Sequence, residues 1–365
     1  MPPNGWENVR RILAIRLDNI GDVVMLGPAL RTLRQALPEA SITLMASPGG
    51  SQVASLLPWV DDVMVHRAIW QDASGTMPLD PAREQALVET IWARGFDAAV
   101  IFTSFSQSPY PPAYVCYLAG VPVRLGQSKE FGGSLLSQSV KPLPDDVHQV
   151  DRNLHLLESA GFSVAGRHLE LSVPSDIQSK ADCLLCHIGV DPYAPFIVLA
   201  PGASCAARRY NPLRYAAMVP MLATQTGLPI VVIGSTCEAE LVAPILAAGS
   251  KYGISSLVGQ TSVPELAAII RRAALVVAND SGPMHLADAF QRSMVILYSG
   301  TEYESQWRPR SAPTKLLRRP TDCSPCYRFQ CPYQMECLDI PPTEVVAEAL
   351  VLLEWTANVA AQSGR

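Results

Sequence analysis

A polar turn at residues 279–285, with the sequence Asn-Asp-Ser-Gly-Pro-Met-His, combines side chains that suit anion binding. An apolar, β-branched run precedes the turn and a helical pattern follows it, so the turn lies where a buried strand leads into a helix. Asp280 and Ser281 are favoured at helix N-caps, and Gly282 lets a ligand approach the backbone. Pro283 suits the first helical position, where its missing N–H is not needed. Free N–H groups and the helix dipole would attract a phosphate, although a capped helix that binds no ligand fits the same pattern.

Four cysteines in one short predicted loop are the second concentration of reactive side chains. Their spacing is Cys-x2-Cys-x4-Cys-x5-Cys, formed by Cys323, Cys326, Cys331 and Cys337. Four thiolates at such spacing could hold zinc or iron in a closed tetrahedral site, which would brace the loop and would not catalyse. Free thiols and disulfides are the alternatives.

Length and composition indicate a globular protein of more than one domain. The length of 365 residues suggests two domains, each large enough for its own core. Apolar residues make up 48% and charged residues 17%, and the net charge is −5. Because the chain lacks a basic excess, a nucleic-acid partner is not expected.

The sequence also bears on location. The most apolar segment, residues 266–278, is interrupted by Arg271 and Arg272, so no run is long enough to span a membrane. Residues 1–11 lack the uncharged segment and the cleavage site of a signal peptide. The odd number of cysteines, nine, agrees with a reducing compartment. The sequence therefore predicts a cytoplasmic protein without a transmembrane segment, and peripheral membrane association stays open.

Apolar periodicity predicts strands and helices that alternate along the whole chain. In the first half the predicted strands are 11–16, 41–46, 60–65 and 97–102, and the predicted helices are 27–37, 51–57, 81–94, 114–119 and 150–160. In the second half the predicted strands are 196–200, 229–234, 256–258, 273–278 and 295–298, and the predicted helices are 215–226, 239–248, 263–272 and 286–290. This order predicts an α/β fold of two Rossmann-like domains whose parallel sheets face a central cleft.

The region around Pro174 is predicted to be the linker between the two domains. The expected domains are residues 1–172 and 173–342, and the second includes the cysteine-rich loop 323–337. A last helix, residues 343–357, is apolar on more than one side, so we expect it to pack between the domains or back on the first.

Four motifs, in order along nearly the whole chain, resemble the pattern of glycosyltransferase family 9, the ADP-heptose:lipopolysaccharide heptosyltransferases. They are Gly21-Asp22-Val23-Val24, Pro201-Gly202-Ala203, Asn279 to His285, and Trp307-Arg308-Pro309. The resemblance implies a GT-B fold and an inverting transfer of a heptose or related sugar from an ADP-sugar, without a catalytic cofactor. It places the donor in the carboxyl-terminal domain and a glycan, lipid-linked or protein acceptor on the amino-terminal domain. Synthesis of the lipopolysaccharide core or of another glycoconjugate is the implied function.

The resemblance selects Asp22 as the catalytic residue, because the family's aspartate follows the glycine. Inverting transfer needs a base opposite the leaving group to take the proton of the acceptor hydroxyl, which is typically worth about 10²–10⁴ in rate. Asp18, four residues earlier, is the local competitor. A helix N-cap is the structural alternative for Asp22.

The resemblance also assigns donor contacts. Arg208 and Arg209 follow the second motif, where the family carries Lys-Arg-Trp or Lys-His-Trp, so Arg208 stands in place of the lysine. An arginine can chelate two phosphate oxygens, although loop arginines are often only solvated. Glu238 matches the family position that bonds the ribose hydroxyls, and its alternative is a solvent-facing acid in the first turn of a helix.

Within the polar turn, the implied contacts to the diphosphate come from Asp280, Ser281, Gly282, Met284 and His285. His285 could equally be a packing residue. A non-catalytic nucleotide-sugar-binding or scaffolding member of the same fold is the functional alternative, and an isomerase would need further carboxylates. A dinucleotide oxidoreductase is not expected, because the first strand-to-helix loop has no Gly-x-Gly-x-x-Gly run.

Overall fold

Two six-stranded parallel sheets organise the chain in the computed structural model, which describes residues 3–72 and 74–363. The chain divides into two units between Ser172 and Val173. Parallel strands need crossover connections, and the apolar runs that the sequence places in them are buried on both faces.

The amino-terminal unit contains the first six strands. They are β1 (Arg11–Arg16), β2 (Ser41–Ala46), β3 (Asp62–Val65), β4 (Ala98–Ile101), β5 (Val123–Gln127) and β6 (Gln138–Val140). The helices are α1 (Ile20–Val24), α2 (Gly27–Ala36), α3 (Pro81–Arg94), α4 (Tyr110–Leu118) and α5 (Gln149–Ser159), with 3-10 helices at Gly50–Leu56 and Ile69–Gln71. The strand order is β3-β2-β1-β4-β5-β6.

The carboxyl-terminal unit repeats this arrangement. Its strands are β7 (Ile197–Ala200), β8 (Ile230–Val232), β9 (Ile254–Ser256), β10 (Leu275–Asn279), β11 (Met294–Leu297) and β12 (Thr314–Leu317). Its helices are α6 (Ser175–His187), α7 (Pro212–Thr226), α8 (Ala239–Gly249), α9 (Val263–Arg272), α10 (Gly282–Ala289), α11 (Glu304–Trp307) and α12 (Pro342–Ser363), with 3-10 helices at Ala206–Arg208, Thr236–Glu238 and Glu336–Leu338. The strand order is β12-β11-β10-β7-β8-β9.

Each sheet reverses its strand order at one point. In the first sheet β1 pairs with both β2 and β4, and in the second β7 pairs with both β8 and β10. At such a point the connections leave toward opposite faces, which opens a crevice at the carboxyl ends of the two central strands. The segments after β1 and β4, and after β7 and β10, are therefore placed to carry functional side chains.

Two short edge strands were not predicted from the sequence. Strand β6 lies between the predicted helices 114–119 and 150–160, and β12 follows the last predicted strand. An edge strand of three or four residues has few buried positions, so it leaves little periodic signal. Residues 51–57, predicted as an α-helix, instead belong largely to the 3-10 helix Gly50–Leu56.

The last helix packs in the carboxyl-terminal unit, whereas the sequence predicted that residues 343–357 pack between the domains or back on the first. Its buried residues belong to one apolar cluster with α7 and β11, formed among others by Val345, Val346, Ala349, Leu352, Tyr215 and Leu297. Periodicity shows that a helix buries a face but not which surface covers it, and here the nearest sheet does so.

Candidate functional site

The side chain of Asn279 joins the ends of β10 and β7. Its Nδ2 donates to the carbonyl oxygens of Pro201 at 2.7 Å and Gly202 at 3.3 Å, and its Oδ1 accepts from the N–H of Tyr210 at 3.2 Å. Asn279 is fully buried, and these bonds satisfy an amide that would be costly to bury without partners. They hold the loop after β7 against the polar turn after β10, at the reversal point of the sheet.

Helix α10 begins in the polar turn, with Ser281 as N-cap in extended conformation and Pro283 in its first turn. Among the residues that the structure describes, no side-chain cap bond comes from Ser281, so the terminus has N–H groups to offer an anion. The N–H of Met284 donates to the carbonyl of Ser281 at 3.0 Å and its side chain is buried, which engages the donor that the sequence assigned to the diphosphate. His285 is buried in the same turn, whereas Gly282 is partly exposed at the start of the helix.

Asp280 carries an acidic side chain into the protein beside this helix terminus. It is 5% exposed, and its Oδ2 accepts from the hydroxyl of Ser299 at 2.9 Å. In the described part of the chain its Oδ1 has no hydrogen-bond partner. Burial raises the pKa of Asp280 to about 7, although the positive charge of Arg208 opposes the shift. The carboxyl group therefore changes charge near neutral pH.

Arg208 ends the 3-10 helix that follows β7. Its Nε donates to Oγ1 of Thr301 at 3.1 Å, and its Nη2 pairs with the carboxylate of Glu302 at 2.7 Å. Burial alone would lower the pKa of Arg208, but the charges of Glu302 and Asp280 raise it, so the guanidinium stays cationic. A fixed cation at the reversal point of a parallel sheet suits the charge that develops on a departing diphosphate.

Arg209 contacts a different set of atoms from its neighbour. Its Nε and Nη2 donate to the carbonyl of Ala203 at 3.1 and 3.0 Å. It also lines a cavity of about 280 Å³ together with Arg214, Met335 and Asp339. The guanidinium thus fixes the loop after β7, and its predicted contact with the donor stays a prediction.

Glu238 lies in the turn after β8, and its predicted contact with the ribose hydroxyls stays a prediction. Its Oε2 accepts from the N–H and hydroxyl of Ser235 at 2.7 and 2.9 Å, which caps the 3-10 helix after β8. The same carboxylate lies against Gly202, where a Cβ would come within 1.8 Å of Oε1. Because Asn279 also bonds the carbonyl of Gly202, Glu238 reaches the edge of the sheet that carries the polar turn.

In the amino-terminal unit, Asp22 lies in the first turn of α1, directly after β1. The N-cap of α1 is Asn19 and not Asp22, whose Oδ2 accepts from the N–H of Asn19 at 3.2 Å from the third helical position. The Oδ1 of Asp22 accepts from Nη2 of Arg16 at 2.7 Å, and that nitrogen also donates to the hydroxyl of Ser104 after β4 at 2.9 Å. The carboxylate is therefore held at the reversal point of the first sheet.

Asp18, the local competitor of Asp22, pairs with the same guanidinium. Its Oδ2 is 2.9 Å from Nε of Arg16, and its Oδ1 accepts from the side-chain amide of Gln107. Burial raises the pKa of Asp18, although the Arg16 charge opposes the shift. Arg16 itself is wholly buried, and its one guanidinium is shared by two carboxylates that are partly exposed.

The cysteine-rich loop, residues 323–337, contacts both segments that position Arg208. The N–H of Ala207 donates to the carbonyl of Phe329 at 3.1 Å, and the N–H of Tyr327 donates to the carbonyl of Thr301 at 2.8 Å. This loop therefore braces the arginine and its partner from outside the sheet.

In the part of the chain that the structure describes, the metal site predicted from the cysteine spacing is not seen. Within residues 3–72 and 74–363, no three His, Cys, Asp or Glu side chains form a group that could hold a metal ion. Burial raises the pKa of Cys337, and charge on the other three thiols of the loop would raise it further. The spacing of the cysteines along the chain permits their thiols to converge on one metal ion, but the path of the backbone decides whether they do. All four thiols are free: Cys323, Cys326, Cys331 and Cys337.

Sequence reasoning missed the side chains that hold the predicted ones. Arg16 is a buried charged residue that directly follows the apolar residues 12–15 of β1, which was a usable signal. Ser299, Thr301 and Glu302 are polar residues directly after β11, the strand beside β10, and their position beyond a strand end was the available indication. No pattern in the sequence indicates that Ser299, Thr301 and Glu302 pair with Arg208 or Asp280.

Comparisons with known proteins agree with these features. The family model described as glycosyltransferase family 9 (heptosyltransferase) matches residues 85–336. The chain is 26% identical over 355 residues to lipopolysaccharide heptosyltransferase 2 of Salmonella typhimurium and to that of Escherichia coli, covering 94% of this chain and 98% of each relative.

Solved structures show the same fold. The crystal structure of the glycosyl transferase family 9 from Veillonella parvula matches with a TM-score of 0.80 and 20% identity, covering 95% of this chain and 98% of that one. The structure of E. coli ADP-heptose lps heptosyltransferase II matches with a TM-score of 0.75 and 24% identity, covering 94% and 99%. The predicted GT-B fold is thereby confirmed. Among the described residues, none of the helices is long and apolar enough to cross a membrane.

Proposed function

The chain belongs to glycosyltransferase family 9, and we propose that it transfers a heptose from ADP-heptose to a hydroxyl group of a lipopolysaccharide core, with inversion. The observation that carries this proposal is the fixed guanidinium of Arg208, which Thr301 and Glu302 hold at the reversal point beside Asp280. Relatives named lipopolysaccharide heptosyltransferase 2 align along most of the chain and support the choice of sugar and acceptor.

The donor would bind to the carboxyl-terminal unit. Arg208 and the N-terminal N–H groups of α10, at Ser281 and Gly282, would neutralise the diphosphate as it leaves. Glu238, in the 3-10 helix after β8 and next to Gly202, would accept hydrogen bonds from the ribose hydroxyls. These side chains supply the charge that the reaction needs, so no step of the proposal runs through a metal.

The acceptor would bind to the amino-terminal unit, where Asp22 would act as the base. Its Oδ atoms would take the proton of the acceptor hydroxyl while the new bond to the anomeric carbon forms and the bond to the diphosphate breaks. The contacts with Arg16 and Asn19 support this role, because they fix the carboxylate at the end of β1. The cytoplasmic location predicted from the sequence stays a prediction.

The experiment that tests the proposal has two stages. First, ADP-heptose, UDP-glucose and GDP-mannose are compared for thermal stabilisation of the purified chain, because a cognate donor raises the unfolding temperature by mass action. Second, transfer from ADP-heptose is measured on truncated lipopolysaccharide from a strain that lacks heptosyltransferase 2. Stabilisation with transfer supports the proposal, stabilisation without transfer favours the non-catalytic alternative, and preference for another nucleotide sugar contradicts the donor.

A further inference from the structure

We propose that Arg16 and Asp18 are positioning residues that set how readily Asp22 accepts a proton, because one buried guanidinium is shared between the two carboxylates. The inference rests on the proposed role of Asp22 as base. The proposed role of Asp22 as base does not by itself assign a function to Arg16 or Asp18, and the inference supplies one.

The geometry divides the guanidinium between two partners. Nε of Arg16 lies 2.9 Å from Asp18, whereas Nη2 lies 2.7 Å from Asp22. The arginine side chain has no exposed surface, and the two carboxylates are 13% and 15% exposed. Water screens these three groups only weakly, so the charge of each one strongly affects the free energy of ionising the others.

Asp18 is held in this position by its surroundings and not by Arg16 alone. The hydroxyl of Ser47 donates to the carbonyl of Asp18 at 2.6 Å, and a Cβ at Gly50 would come within 2.7 Å of the same oxygen. The amide of Gln107, from the segment after β4, donates to Oδ1. The second carboxylate therefore stays beside the arginine whatever the charge of Asp22.

Among the described residues, Arg152 on α5 is a further charged group whose charge interacts with this cluster. Its charge acts on that of Arg16, and it donates to the carbonyl of Pro144 at 3.1 Å while pairing more distantly with Asp145. Ser104 contributes a neutral hydroxyl. The positive charges of Arg16 and Arg152 are thus balanced locally by the negative charges of Asp18 and Asp22, and Asp145 lies further from the cluster.

The sharing matters at the step in which Asp22 changes charge. As the acceptor oxygen bonds the anomeric carbon, its proton passes to Asp22, and the electron pair of the broken bond leaves with ADP. Asp22 then becomes neutral, and Arg16 would lose its only counter-charge if Asp18 were absent. A buried guanidinium without a carboxylate is strongly unfavourable, so Asp18 makes protonation of Asp22 easier.

The test measures single-turnover transfer from ADP-heptose to truncated lipopolysaccharide between about pH 5 and about pH 9. Asp18→Asn leaves Arg16 wholly to Asp22. We expect the acid limb of the rate profile to move to lower pH by about 0.5–1 unit and the plateau rate to fall about 3–10-fold, with an unchanged KM for ADP-heptose. Arg16→Met should move the limb to higher pH, and Arg16→Lys should restore part of the native profile.

Asp62→Asn is the matched control, because Asp62 pairs with Arg94 on the surface of the same unit.

An acid limb that Asp18→Asn leaves in place, with a rate like that of Asp62→Asn, overturns the inference. A loss as complete as that of Asp22→Asn overturns it too, because Asp18 would then be the base. If Arg16→Met fails to fold, Asp18→Asn alone decides. Near-native turnover in Asp22→Asn, or no transfer by the native chain, would instead overturn the proposed function on which the inference rests.

Discussion

The carboxylate of Glu238 occupies the space that a side chain at Gly202 would need. A Cβ on Gly202 would be 1.8 Å from Oε1 and 2.8 Å from Oε2 of Glu238, so the two positions exclude each other. Gly202 is therefore the residue that allows an acid after β8 to lie at the carboxyl end of β7, at the edge where the donor is proposed to bind.

The first prediction concerns this pair. Gly202→Ala should displace the carboxylate and weaken binding of ADP-heptose about 5- to 50-fold, comparable to Glu238→Ala, because both remove one charged acceptor from the proposed ribose contact. Calorimetric titration with ADP-heptose measures the affinity.

The double variant is the control for this pair. If Gly202 acts through Glu238, the double variant should bind ADP-heptose no more weakly than Glu238→Ala alone, because both substitutions remove the same contact. Fully additive losses would show that Gly202 acts independently.

Asp22→Asn should reduce transfer from ADP-heptose about 10²–10⁴-fold while leaving donor affinity nearly native, because the amide cannot take the acceptor proton. Single-turnover kinetics and calorimetry measure the two quantities. The asparagine can still accept from Arg16 and Asn19, so the fold of α1 should persist. Turnover near the native rate would exclude Asp22 as the base.

Arg208 should be the dominant cation for the donor. Arg208→Met should weaken ADP-heptose binding about 10- to 100-fold, and Arg208→Lys should recover part of that, because lysine keeps the charge but not the fork that reaches Thr301 and Glu302 together. Arg214→Lys, on the nearby surface cavity, is the matched control and should bind normally. Equal effects at both arginines would contradict the assignment.

Binding of ADP-heptose should weaken as pH rises through about 7, where buried Asp280 loses its proton. Below that pH the carboxyl is neutral, and above it a negative charge lies beside the diphosphate, so we expect an affinity about 3- to 10-fold lower. ADP-heptose is the appropriate ligand because its diphosphate is esterified at both ends and does not titrate in this range. Asp280→Asn should flatten the profile, and an unchanged profile in that variant would assign the dependence elsewhere.

The cysteine-rich loop should hold no stoichiometric metal. Its thiols are free and form no metal-ligating group among the described residues, so elemental analysis of the purified chain should find zinc and iron well below one atom per chain. A stoichiometric metal that is lost in Cys326→Ser would restore the site predicted from the spacing. Cys116→Ser, at a buried cysteine outside the loop, is the control.

Much of the fold follows from local pattern. The strands at 11–16, 41–46 and 275–279 were predicted within a few residues, because burial on both faces leaves a continuous apolar run in the sequence. The short edge strands β6 and β12 were missed, and the surface against which the last helix packs could not be derived, because an apolar face does not identify the surface that covers it.

The positions of Asp22, Arg208 and the polar turn, in segments that follow strands of two Rossmann-like units, could be derived from the amino-acid sequence. The side chains that hold these residues in place could not, because several of them come from distant parts of the chain. Arg208 meets Thr301 across 93 residues of sequence, and Arg16 meets Ser104 across 88. Such partners are brought together by the pairing of parallel strands, which joins distant segments at one edge of a sheet, and no local pattern of residues records that pairing.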